Sequence, residues 1–311
     1  MLIACGDALI DFVPTRNAEG REAVMPAVGG SCLNVAIGMA RLGAPTGFVG
    51  GVSTDLFGRM IADHATASSV DLGLATRSDH QTTLAFVRIV AGESHYAFYD
   101  AETATRNWTY RRGTIPLDTV EALHVGSTTL VNDRGAAETT ALIADARAFS
   151  TISFDPNCRP NLVKDKPAYL ARMAEFAGHA DLIKMSDVDF AYLFGDEPYQ
   201  QRASALLAQG TSLVVVTRGN HGAVAWHAGA GQIEVVAPKV EVADTIGAGD
   251  SFQAALLFAL HKQGRIARQA LKDVGADELR RALSFAANCA GLTCTRPGAD
   301  PPWSHEVSWR W

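Results

Sequence analysis

At 311 residues and 33.0 kDa, with 48% hydrophobic and 19% charged residues, the chain is long enough to bury a large core and too apolar to be disordered. A net charge of −6 and a pI of about 5.8 exclude a broad nucleic-acid footprint, and the basic pairs Arg111-Arg112 and Arg280-Arg281 read as solvated faces. Five scattered cysteines (Cys5, Cys32, Cys158, Cys289, Cys294), with no Cys-x-x-Cys or His-Glu-x-x-His spacing, exclude a disulfide framework and a structural zinc site.

Met1 to Cys5 is apolar but lacks a basic leader and runs quickly into Asp7 and Asp11. It reads as a first strand rather than a signal peptide, and no apolar run reaches membrane-spanning length, so cytoplasm is the expected compartment. Short apolar runs bounded by Gly, Pro, Asp or Ser follow at Gly47–Val49, Ala122–Val125, Thr151–Phe154, Asp181–Lys184 and Leu213–Thr217. They predict buried strands. Helical patterns lie between them at Ser31–Arg41, Leu56–Ala67, 136–149 and 167–177, with Ser31 as N-cap and Gly43 as stop for the first. This alternation predicts right-handed βαβ units and an α/β fold around a mostly parallel sheet covered on both faces.

Residues 12–28 and 82–99 break the rhythm. Leu84–Val90, Gly92 and His95–Tyr99 read as a β-hairpin, so a small separate sheet inserted between early βαβ units is expected, either as a lid or as a plain edge hairpin. His221 and His227 flank a second hairpin and read as surface residues. In the last third, Ala248–Lys262 and 276–292 are helical, and Gln253–Leu260 is too uniformly apolar for a surface helix.

The chemistry concentrates in Asp244-Thr-Ile-Gly-Ala-Gly-Asp-Ser-Phe252. Glycines at 247 and 249 allow a tight turn that points backbone N–H groups outward at a helix start, where partial positive charge collects. A carboxylate on such an anion nest suits phosphoryl transfer. The Gly247-Ala248-Gly249 backbone would hold the migrating phosphate, and Asp250 would accept the hydroxyl proton. A merely structural Gly-rich turn is the plain alternative. A nucleotide-hydrolase phosphate loop needs a Gly-Lys pair, which the chain lacks, and a dinucleotide fingerprint needs glycine where Phe252 stands. An esterase reading of Gly249-Asp250-Ser251 needs a His partner, and His305 is the sole histidine after His261.

Taken with Gly29-Gly30-Ser-Cys-Leu-Asn-Val-Ala36, Arg41-Leu-Gly43, Gly50-Gly-Val52 and Asp55-Leu-Phe-Gly58, the pattern resembles the ribokinase-like sugar kinases, the PfkB family, and among them bacterial fructokinases. Two well-separated motifs in the right order carry the resemblance over nearly the whole chain. It implies one domain, 1–311, a three-layer sandwich with a β-sheet lid at about 12–28 and 82–110, and a homodimer through that lid. It also implies ATP and Mg²⁺, with K⁺ as a further ion, and a small sugar as partner, with neither nucleic acid nor membrane. Asp11 corresponds to the family's sugar-hydroxyl acceptor, Gly29 and Gly30 to the backbone that approaches the sugar, and Asn34 to a donor and acceptor on the following helix. Arg159, in Asp155-Pro-Asn-Cys-Arg-Pro160, would lie near the phosphate or the sugar. Lys184, Ser186, Thr217, Gly219, Gly249 and Asn288 fall on the nucleotide side. Where many members carry Asn-x-x-Glu, this chain has Ser186 and Asp189, so Asp189 would reach Mg²⁺ through water. Asp244, Ile246 and Gly298 fall where members often hold a monovalent cation, although Asp244 can equally cap the loop.

Phe98 and Tyr99 are expected on a sugar face. Asp100, standing where ketodeoxygluconate kinases and many fructokinases place Arg, would repel an acidic sugar and favour a neutral hexose such as fructose, an argument that the nearby Arg106 weakens. Ketodeoxygluconate kinase or another sugar or nucleoside kinase of the family is the alternative. A non-catalytic sugar-responsive regulator is a different class, but it would be expected to lack the base or the nest, and Asp250, Gly247 and Gly249 are all present.

Overall fold

The computed structural model describes residues 1–90 and 93–308. A nine-stranded sheet runs in the order Gly231–Val235, Ala223–His227, Leu213–Thr217, Leu182–Ser186, Thr151–Asp155, Ala122–Gly126, Leu2–Cys5, Thr46–Val49, Val70–Asp71. Pairing is parallel except where Ala223–His227 lies antiparallel to both of its neighbours. Side-chain alternation divides each strand between two cores. Leu2 and Ala4 pack with helices Ser31–Arg41, Leu56–Ala67, Ala248–Lys262 and Ala276–Cys294. Ile3 and Cys5 pack with Asp133–Ala146, Lys166–His179, Asp187–Phe194 and Tyr199–Ala208 on the other face. The result is the expected three-layer α/β/α arrangement. Among the described residues no helix is long and apolar enough to cross a membrane.

Three helices, Ser31–Arg41, Leu56–Ala67 and Ala248–Lys262, have the bounds that their periodicity predicts. Every residue from Asp250 to Leu260 is buried, because that helix is covered by both Ser31–Arg41 and Ala276–Cys294. Gly43 ends the first helix with φ +100°, as expected, but Ser31 does not cap it. The N-cap is Gly30, and the Ser31 hydroxyl turns away to Asp250. Asp187–Phe194 and Tyr199–Ala208 were not legible as helices. The first announces itself by a capping box, in which Ser186 Oγ accepts from Asp189 N and the Asp189 carboxylate accepts from Ser186 N. His227 is a correction. It is buried, with Nε2 bonded to Leu271 O and Nδ1 accepting from Gly229 N and Ala230 N, so it ties the hairpin to the helical layer.

The irregular segments build a separate four-stranded sheet in the order Glu22–Gly29, Leu9–Arg16, Thr83–Val90, Glu93–Tyr99. Gly92, the expected turn residue, lies outside the described residues. Asp11 pairs with Ala27 and Ala85, and Ala85 with Phe98, so Asp11 and Phe98 share one face. Tyr99, expected beside Phe98, does not share that face. The pleat turns it to the opposite side, edge-on to Phe86, which in turn stacks on Phe12 at 4.5 Å.

Candidate active site

Five parallel strands end along one edge of the large sheet, and residues at or just beyond their ends lie there: Asp7, Ser127, Asn157, Asp189 and Thr217. Ligand crevices in open α/β sheets form at this carboxyl edge. The helices beginning at Ser31 and Ala248 point their N-termini toward one another across it, as the Ser31–Asp250 hydrogen bond shows. Asp7 pins the first of them, accepting from Cys32 N and from the hydroxyls of Ser127 and Thr128.

Asp250 is buried in the first turn of its helix. Oδ1 accepts from Ser31 Oγ at 2.7 Å and Asn157 Nδ2 at 3.2 Å, and Oδ2 from Asn34 Nδ2 at 2.8 Å. Three side-chain donors thus converge on the two oxygens of this carboxylate. Asn34 Oδ1 is buried without a donor, an acceptor left over for a hydroxyl. Gly247 adopts the left-handed conformation, φ +75° and ψ 0°, which lets the helix open directly from the turn. The N–H groups of Gly247, Gly249 and Asp250 donate to no acceptor among the described residues, whereas Ala248 N reaches Thr245 O at 3.3 Å. Of the expected donors, Ala248 is thus the one whose N–H has a backbone partner, and Gly247, Gly249 and Asp250 leave theirs open at the turn.

Asp11 brings the small sheet to this edge. A Cβ on Gly29 would collide with its carboxylate, so glycine there is a condition of Asp11's position. Burial first, and the carboxylates of Asp7 and Asp250, push Asp11 from 3.8 to about 7 against the opposing pull of Arg159. Arg159 is held by the carbonyls of Asn157 and Cys158 at 3.1 and 3.0 Å. Asp100 is a further correction. Arg106 binds its carboxylate through both Nε and Nη2, so it is half of an ion pair rather than a free charge that repels acids.

Lys184 is buried behind the nest, with Nζ 2.8 Å from Asp155 Oδ2 and 3.1 Å from Gly249 O. Burial alone would lower its pKa, but the Asp155 carboxylate outweighs that and holds the ammonium charged. It sets charge behind the first turn and does not face solvent. Asp189 Oδ2 accepts from Ser186 N and Oγ, and Oδ1 from Cys158 N at 2.8 Å. Oδ1 keeps one lone pair, which fits contact with a metal through water but not a protein cage. No cluster of three acidic, His or Cys ligands occurs among the described residues. Asp244 accepts from Ile246 N at 3.0 Å and Gly298 N at 2.8 Å, bringing together the three residues expected at a monovalent cation. Thr217 Oγ1 lies 3.4 Å from Met185 O, Gly219 opens a single helical turn with φ +52°, and Asn288 is exposed on the Ala276–Cys294 helix. Ser31 and Asn157 are the site residues that sequence reasoning missed. Asn157 sits at φ +40°, a conformation asparagine favours, but nothing local in the chain says that its side chain meets Asp250.

A family model described as pfkB family carbohydrate kinase matches residues 1–306. The chain is 35% identical over 280 residues to a fructokinase of Rhizobium leguminosarum bv. trifolii, covering 90% of this chain and 86% of that one. It superposes on a fructokinase of Xylella fastidiosa with bound ATP at a TM-score of 0.88 and 27% identity, over 96% and 93% of the two chains. A fructokinase of Vibrio cholerae O395, in a fructose-, ADP- and calcium-bound form, gives 0.82 and 28% over 96% and 94%.

Proposed function

The chain belongs to the pfkB family of carbohydrate kinases and has the ribokinase-like fold, and from that premise we propose that it is an ATP-dependent fructokinase. It would transfer the terminal phosphoryl group of ATP to a primary hydroxyl of D-fructose. The observation that carries this reading is Asp250, a buried carboxylate in the first helical turn, set among backbone N–H groups that have no partner among the described residues. Asp250 takes the hydroxyl proton, and the nest binds the oxygens of the migrating phosphoryl group. Asp11 and Asn34 hold sugar hydroxyls, Phe98 lies on Asp11's face of the small sheet, and Arg159 serves the phosphate. Thr217, Gly219 and Asn288 line the nucleotide side, and Lys184 acts from behind through Gly249. Mg²⁺ would be held by the phosphate oxygens of the nucleotide and reach Asp189 through water, where it would neutralise phosphate charge. K⁺ would use the lone pairs left on Asp244.

Fructose as the acceptor is supported by the fructokinases among the similar chains. The small sheet acts as a lid within a single domain, supported by its separate pairing and by Asp11 reaching the site from it. Its outer face leaves Phe86 and Tyr99 exposed, which supports a homodimer through the lid. Five unpaired cysteines support a cytoplasmic setting. The test is a panel of fructose, ketodeoxygluconate, ribose, tagatose and adenosine with Mg-ATP. Fructose should give the highest kcat/KM. A higher value for ketodeoxygluconate would overturn the acceptor while leaving the kinase, and phosphorylation of none would overturn both.

A further inference from the structure

The two oxygens of the Asp250 carboxylate are dressed unequally. Oδ1 accepts from Ser31 Oγ and Asn157 Nδ2, while Oδ2 accepts from Asn34 alone. A carboxylate oxygen offers two lone pairs, so Oδ1 is filled and Oδ2 keeps one. Asn157 Nδ2 also donates to Ser31 Oγ at 2.8 Å, which closes a triangle and orients the Ser31 proton toward Asp250. The three corners come from the Thr151–Asp155 strand's exit loop and from the starts of two helices. Asn157 holds its corner from a left-handed backbone, φ +40°, that asparagine and aspartate tolerate better than most residues.

Resting on the kinase reading above, we propose that Ser31 and Asn157 are positioning residues for the base. They fix Oδ1 and the orientation of the carboxylate, and Oδ2 alone takes the proton. In that step the hydroxyl O–H bond breaks toward Oδ2, a bond forms from the sugar oxygen to phosphorus, and the bond from that phosphorus to the departing ADP oxygen breaks. Other ionisable groups facing Asp250 are Asp11 from the small sheet, Cys32 from the first helix, Asp155 and Lys184. Neither variant below alters any of these.

The experiment measures kcat at saturating fructose and Mg-ATP across the acid and neutral range for wild type, Ser31→Ala and Asn157→Asp. At saturation kcat reports groups in the ternary complex, so titration of Asp11 in the free enzyme does not enter. Losing the Ser31 donor disfavours the carboxylate, so the acid limb should move to higher pH by about one unit. Asn157→Asp is nearly isosteric and keeps the backbone conformation, but it sets a second carboxylate against Oδ1. Its limb should move further in the same direction, because two adjacent carboxylates resist joint ionisation. Fructose KM should stay unchanged in both. A uniform loss at every pH, or a limb that stays in place, would reduce both residues to packing and overturn the proposal. Thermal melts identify a variant that fails to fold, in which case the other one decides. A wild-type protein inactive on every sugar would sink the kinase reading itself, whereas an active wild type with unmoved limbs sinks only the roles of Ser31 and Asn157.

Discussion

Replacing Asp11 by Asn removes a negative charge from a place where the carboxylates of Asp7 and Asp250 add to the cost of burial and Arg159 alone opposes it. The folded state raises Asp11 from 3.8 to about 7. Below 3.8 the group is neutral in both states and costs nothing. As pH climbs through that window the unfolded chain ionises freely while the folded chain resists, so wild-type stability is lost progressively. Above pH 7 the full difference corresponds to about 4 kcal/mol. Asp11 is only partly buried, and Asn forfeits the attraction to Arg159, so a net gain of about 1–2 kcal/mol is the better expectation. At pH 8 Asp11→Asn should therefore raise the melting temperature by roughly 1.5–3 °C, and at pH 4 by almost nothing. The same variant should lose roughly ten- to a hundredfold in kcat/KM for fructose, because a neutral amide replaces a charged acceptor. Paired thermal melts at the two pH values, with steady-state kinetics on the same preparations, read both effects. A variant no more stable than wild type at pH 8, or equally stabilised at both pH values, would refute the reasoning.

Asp250→Asn keeps shape but removes basicity, so kcat should fall by roughly two to four decades while fructose still binds by calorimetry; near-normal turnover would remove Asp250 as base. Lys184→Met leaves the Asp155 carboxyl buried without its partner, and denaturant melts should show a loss of roughly 3–5 kcal/mol. Adding Asp155→Asn to it should recover much of that loss, and a double variant as unstable as the single one would contradict the pairing. Amide exchange over Leu9–Gly29 and Thr83–Tyr99 should slow when fructose saturates the protein, since closure over the sugar would shield those strands; exchange indifferent to fructose would count against a moving lid.

Much of this molecule is local and therefore legible in the chain. Apolar runs at Leu2–Cys5 and Leu213–Thr217, and helical periodicity over Ser31–Arg41 and Ala248–Lys262, follow from how a strand or helix presents one face to a core. The nest is local too, because Gly247, Gly249 and Asp250 are fixed by one turn and the helix it opens. Charge and face were not local. Asp100 read as a bare carboxylate until Arg106 closed on it, and Tyr99 as a sugar contact until the pairing of Ala85 with Phe98 fixed the pleat. Ser31 read as a cap, yet its hydroxyl serves a carboxylate 219 residues away, and Asn157 meets that carboxylate from 93 residues away. His227 alternates correctly for a strand, but what covers it is Leu271, far along the chain. Periodicity and turn chemistry act over a few residues and so belong to the sequence. Which donor fills which lone pair depends on strands and helices meeting at the sheet edge, and only the tertiary structure decides it.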